Sequence, residues 1–121
     1  MLLIGIAVAG AIGALARYLV DGFVIRRAVS GLPTATLAIN VSGSFVLGVL
    51  TGLALYHALP STPKVILGTG FCGAYTTFST FAYEVVRLAE ARERRAAILT
   101  VSLSVVVPAL AAGLGLALAS L

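Results

Sequence analysis

Asn40 lies in a stretch of chain that runs from residue 28 to residue 63 without one Asp, Glu, Lys or Arg. An amide placed so far from charge needs hydrogen-bond partners. Thr36, Asn40, Ser44, Gly48 and Gly52 follow one another at intervals of four and therefore share one helix face. Thr100, Ser104, Pro108 and Ala112 repeat that spacing, as do Gly5, Ala9, Gly13 and Arg17. Two chemistries fit such faces. Small residues let helix backbones approach closely in a membrane, and Gly5, Ala9, Gly48 and Gly52 suit that role. Amides and hydroxyls donate hydrogen bonds, and a row of donors is what a dehydrated anion requires. For Asn40, Ser44, Thr100 and Ser104 both readings stay open. Arg17 is the one cation well inside an apolar segment, where charge is costly and marks function. It is also near enough to the segment end to reach headgroups, and Asp21 is one turn away as a possible ion-pair partner. Glu84 has no second carboxylate near it in sequence, so no acid pair exists there for proton relay; an interface cap or an ion pair is its expected role. His57 reads as a bystander beside a proline turn, and Cys72 as a small apolar filler. Tyr18, Phe23 and Tyr56 read as interfacial aromatics.

The run from Gly68 to Phe81 is chemically different. Gly68, Gly70 and Gly73 fall within six residues, and Thr69, Thr76, Thr77, Ser79 and Thr80 lie among or after them. Gly and β-branched Thr are poor helix formers, so a break is expected in the middle of this segment. At membrane depth a break survives only when buried in protein or lining a cavity, and the carbonyls it frees can coordinate a cation. Phe78 and Phe81 share a face if the second half is helical; core or lipid packing is the ordinary use of such a pair.

These residues need elements to hold them, and composition says which. The chain has 121 residues, 60% hydrophobic and 10% charged, with mean hydropathy +1.13. A soluble domain carries about 25% charge, so a soluble enzyme, a disordered chain and a nucleic-acid binder are excluded. Roughly 20 apolar residues cross a bilayer. Four spans are expected, at about 2–24, 34–59, 65–88 and 96–121, forming one transmembrane domain over 1–121. Arg26 and Arg27 close the first, and Pro60 to Pro63 form a turn before the third. Segment 2–20 reads as working structure and not as a cleaved signal, because it lacks a basic start and carries Arg17. The single Cys makes no internal disulfide. No internal repeat is evident, and four thin helices are too few to enclose a pathway alone, which points to an oligomer. Arg26, Arg27, Arg92, Arg94 and Arg95 fall on one side of this topology and only Lys64 on the other, which places both chain ends outside the cell.

The stretch Gly70-Phe71-Cys72-Gly73-Ala74-Tyr75-Thr76-Thr77-Phe78-Ser79-Thr80-Phe81, followed by Glu84, resembles the signature of the Fluc (CrcB) family of fluoride channels. Gly10 to Tyr18 resembles that family's first-helix motif, and Thr36 to Phe45 its second. The match is ordered and covers all four spans. The resemblance implies an all-α integral membrane protein of the inner (plasma) membrane, with four transmembrane helices per subunit, a broken third helix and an antiparallel dual-topology dimer. It implies passive export of cytoplasmic fluoride, no enzyme activity, and a structural Na+ held by the backbone carbonyls of Gly73 and Thr76. Asn40, Ser79, Thr80 and Ser104 would line the fluoride path with donors, Phe78 and Phe81 would turn ring edges to it, and Arg17 would stand near its mouth. Two positions depart from the family: Thr100 replaces a tyrosine and Pro108 a serine, both on the fourth helix. The charge bias further suggests a heterodimer with an oppositely inserted paralogue, with a homodimer as the alternative. A small multidrug-type transporter is the rival of similar size, but it needs an acid embedded in the first span, and Asp21 sits at the edge. A non-conducting partner subunit is the other alternative.

Overall fold

The computed structural model describes residues 1–25 and 32–121, and its secondary structure among these is entirely helical. Arg26 and Arg27, expected to close the first span, lie outside the described residues. Helix α1 covers Leu2–Ile25, α2 Thr34–Tyr56 and α6 Arg94–Leu118, and these three are long and apolar enough to cross a membrane. Between α2 and α6 the chain forms α3 (Ser61–Val65), a π-helical segment (Ile66–Cys72), α4 (Gly73–Tyr75) and α5 (Ser79–Glu90). The protein is a multi-pass membrane protein: Leu3, Ile12, Leu15, Leu19, Val105 and Leu110 are all more than half exposed on the subunit surface, an arrangement only lipid or another subunit can satisfy.

Three boundaries differ from the sequence expectation. Helix α2 ends at Tyr56, three residues short, where Ala58 adopts a left-handed φ of 54°. Pro60 to Pro63 is not a free turn. Pro60 caps α3 and Pro63 sits in its first turn, where the N–H that proline lacks would have had no helical partner. The glycines do not break the third segment either. They widen it into π-helix, and helical geometry persists through Gly73 (φ −63°, ψ −36°). Continuity is lost later, at Thr76, whose backbone is extended (φ −76°, ψ 160°).

Helix α2 is the centre of the bundle, with 28% of its apolar window buried against 11% for α1 and for α6. It runs along α6, while α1 runs along the π segment. The small faces read from the sequence make both contacts. A Cβ on Gly48 would strike the Ala112 carbonyl, and one on Gly13 would strike the Phe71 carbonyl. The turn from α5 to α6 is closed by Arg92 N–H to the Ala89 carbonyl (3.1 Å) and Glu93 N–H to the Leu88 carbonyl (2.9 Å). That is the Schellman pattern, with Arg92 at φ 60° in the position usually given to glycine.

Candidate functional site

The break at Thr76–Phe78 is built by its neighbours on α2. In a continued α-helix the Thr77 N–H would bond the Gly73 carbonyl. It bonds Asn40 Oδ1 instead, at 2.8 Å, and Asn40 Nδ2 donates to the Thr77 carbonyl at 2.9 Å. One side-chain amide thus takes both main-chain groups of one residue, as a neighbouring β-strand would. Thr77 is otherwise tied forward. Its Oγ1 accepts from the Thr80 N–H (3.2 Å) and donates to Thr80 Oγ1 (3.1 Å), which caps the first turn of α5. On the other side of the break, the Thr76 hydroxyl donates to the Cys72 carbonyl (2.8 Å) and its N–H to the same oxygen (3.0 Å). Tyr75 is buried, stacked on Phe71 with ring centroids 5.6 Å apart, and its hydroxyl meets Ser42 at 2.9 Å. Gly43 has no side chain because Thr76 and Tyr75 occupy the space a Cβ would need.

An open groove of about 380 Å³ runs along this break. Asn40, Phe78, Phe81, Gly73, Thr76 and Ser104 all line it, so α2, the third segment and α6 each contribute. Phe78 and Phe81 touch as a tilted pair, centroids 5.6 Å apart and planes at 59°. Phe78 is 78% exposed and lines the groove. Pro108 also lines the groove, and α6 continues through it without interruption. Its missing N–H leaves the Ser104 carbonyl without a helical partner.

Ser79, Thr80 and Arg17 do not line this groove. Thr80 and Arg17 border a second hollow of about 310 Å³ together with Asp21, Thr36 and Thr77. Thr77 lines both hollows and so forms the wall between them. Ser79 lies beside that wall, its hydroxyl 3.3 Å from Thr77 Oγ1. The Arg17 guanidinium is half-buried and turns toward the break, with Nη1 3.5 Å from the Thr76 carbonyl. The contact expected with Asp21 is replaced by this longer reach.

Glu84 also differs from expectation. Among the described residues it is neither a cap nor an ion-paired group: Thr36 Oγ1 donates to its Oε1 at 2.8 Å, and Oε2 is buried with no hydrogen-bond partner among them. Thr36 itself is 2% exposed. Replacing Thr36 with Val keeps the shape and strands both carboxylate oxygens. A loss of about 1–3 kcal/mol of stability is expected, read as a lower thermal midpoint in detergent, with Thr36→Ser close to wild type. Thr100 is 3% exposed and its hydroxyl is likewise buried without a partner among the described residues. The hydroxyl is shut away from the groove, so of the expected fourth-helix donors only Ser104 reaches it.

Sequence reading missed Thr77 and Thr36. The signal for Thr77 was present in its spacing: a hydroxyl three residues before Thr80 is the N-cap arrangement. Thr36 was seen only as one member of a polar face, and nothing in the sequence ties it to a carboxylate 48 positions away.

Residues 4–116 match the family model described as CrcB-like protein, Camphor Resistance (CrcB). The chain belongs to the CrcB family. Its relatives agree along nearly the whole length. A protein of Leifsonia xyli subsp. xyli named Fluoride-specific ion channel FluC 1 is 52% identical over 121 residues, covering 100% of this chain and 88% of that one. A Fluoride-specific ion channel FluC of Methanocaldococcus jannaschii is 46% identical over 106 residues, 88% of this chain and 82% of the relative. One of Syntrophotalea carbinolica is 46% identical over 120 residues, 98% of each.

Proposed function

We propose that this CrcB protein is a fluoride-selective channel of the inner membrane, through which cytoplasmic fluoride leaves passively. The observation that carries the reading is the groove that gathers Asn40, Phe78, Phe81 and Ser104 against a helix break. Fluoride holds its water tightly, so a selective path must offer donors in exchange. The Asn40 amide keeps one N–H beyond the one spent on Thr77, and the Ser104 hydroxyl adds another donor. Phe ring edges are electropositive and can line an anion path without the trap that a lysine or arginine would set. Ser79, Thr80 and Arg17 extend the polar track on the far side of Thr77.

Ser61–Val65 through Glu90 act together as one broken third span. A helix of 12 residues is about 18 Å long, too short to cross alone, and the break supplies the join. The whole chain is then one four-span domain. The groove is open on one side and Phe78 is exposed there, so a second subunit, inserted antiparallel, closes the conduit. That partner is a second copy or a paralogue. The residues present fit a sodium ion at the break. The Gly73 carbonyl has lost its helical N–H, and the Thr76 carbonyl accepts one long hydrogen bond from Arg17 (3.5 Å) and keeps its second lone pair, so hard oxygen acceptors are present there. Gly73 and Thr76 would hold the ion by these carbonyls, and when bound it supplies a fixed positive charge beside the path. The family relatives named as fluoride-specific channels support the assignment of the permeant ion.

The test is direct. The purified chain, reconstituted in liposomes loaded with fluoride, is expected to release it to a fluoride electrode when a potassium ionophore carries counter-charge, and to retain chloride under the same conditions. Release only when a paralogue is co-reconstituted identifies a heterodimer. Equal release of chloride refutes the selectivity.

A further inference from the structure

Asn40 has been given a place on the anion path, yet most of its hydrogen-bonding capacity is spent elsewhere. Its Oδ1 takes the Thr77 N–H at 2.8 Å and its Nδ2 donates to the Thr77 carbonyl at 2.9 Å. The first of these bonds is the informative one. That N–H is the natural partner of the Gly73 carbonyl, four residues back, and Gly73 is still helical. The last helical bond before the break is Thr76 N–H to the Cys72 carbonyl, at 3.0 Å. The next donor along the chain is diverted to α2. We propose that Asn40 is a latch: by capturing the Thr77 N–H it holds the break open and keeps the Gly73 carbonyl available to an alkali cation. Without the latch, the Thr77 N–H returns to Gly73, the helix gains one more hydrogen bond, and that oxygen is consumed.

Three features make the latch specific. Thr76 is extended, at ψ 160°, which swings the Thr77 peptide away from the helix axis and toward α2. Gly43, one turn along α2 from Asn40, gives Thr76 and Tyr75 the space they occupy beside it. Thr77 Oγ1 is engaged by Thr80, so the residue is tied on both sides and cannot slide back without breaking the α5 cap. Asn40 is therefore a positioning residue for the cation site, in addition to any contact it makes with an anion. The inference rests on the sodium reading given above.

A donor lost from an anion path lowers fluoride flux at every sodium concentration. A lost latch weakens sodium binding itself, and that has its own readout. The thermal midpoint of the purified full-length protein is measured in increasing NaCl, with N-methyl-D-glucamine chloride keeping ionic strength constant. Wild type is expected to be stabilised by sodium in a saturable way. Asn40→Leu, which removes both bonds, is expected to raise the half-saturating sodium concentration at least tenfold. Asn40→Asp keeps an oxygen for the Thr77 N–H, and its half-saturation is expected at or below the wild-type value. A wild-type half-saturating sodium concentration in Asn40→Leu overturns the latch. If that variant yields no folded protein, Asn40→Asp decides alone: a tenfold weaker sodium response in it overturns the proposal, because the acceptor is retained. A wild-type protein indifferent to sodium overturns the cation site and the latch together, while fluoride release by that same protein leaves the channel standing.

Discussion

Phe78→Ile and Phe81→Ile are expected to cut fluoride release from liposomes about 30-fold each while leaving the protein folded. The size follows from what a ring edge supplies. We take the loss as about 2 kcal/mol, the size that the same quadrupole gives a desolvated cation on its opposite, negative face, and about 1.4 kcal/mol in a barrier is tenfold in rate. Isoleucine fills similar space and has no quadrupole, so it removes the electrostatic contribution and keeps the wall. Stability separates this from general damage. Phe78 is 78% exposed in the subunit and has few contacts to lose, so its variant should melt near wild type. Phe81 is only half-buried and touches Phe78 through a tilted pair. Either replacement removes that pair, worth about 0.5–1.5 kcal/mol, and Phe81→Ile loses the contacts of a half-buried ring in addition. Flux is measured with the fluoride electrode and folding by gel filtration and melting of the same samples. Wild-type rates in both variants refute the placement of the rings on the path.

Much of this site was legible before any coordinates. Small residues at intervals of four announced the close faces of α1, α2 and α6, because close helix approach requires missing side chains and little else does. The Thr-Thr-Phe-Ser-Thr-Phe run announced a family, and the Gly and Thr clustered over 68–81 together argued for a break. What failed were the details set by tertiary partners. Glycines at 68, 70 and 73 argued for a break among themselves, since propensity sums over neighbours. The structure instead places Gly68 and Gly70 in a π-helical segment, with Gly70 against α1 and Gly68 facing Leu47 of α2, keeps Gly73 helical, and lets the backbone turn at Thr76, where Asn40 supplies a rival acceptor. No local pattern reveals that an amide 37 residues away competes for one N–H. Glu84 failed for the same reason. Its partner Thr36 lies on another helix, and a lone carboxylate looks identical in sequence whether capped, paired or bonded by one hydroxyl.

The seam between α2 and α6 decides whether Asn40 and Ser104 face one groove, and it makes the second large prediction. Two glycines of α6, at 113 and 115, differ in surroundings although two positions apart. A Cβ on Gly113 meets nothing within 4 Å, whereas one on Gly115 meets the Phe45 carbonyl and lies 2.9 Å from the Val49 N. Gly48 mirrors this from α2, where the obstacle is the Ala112 backbone, with its Cα at 3.0 Å. In all of these clashes the obstacle is main chain in the middle of a helix, which cannot swing aside as a side chain would. Gly115→Ala and Gly48→Ala must therefore part the two helices. Overpacking of this kind costs about 1–3 kcal/mol, sometimes more, and parting the helices also widens the groove between Asn40 and Ser104. Both variants are expected to melt well below wild type and to lose fluoride selectivity in what remains folded. Gly113→Ala is the control. It gains about 1 kcal/mol of helix propensity with nothing to collide with, and should melt at or above wild type with unchanged flux. Equal behaviour of Gly113→Ala and Gly115→Ala would show that the helices do not meet at this register, and with it the shared groove would go.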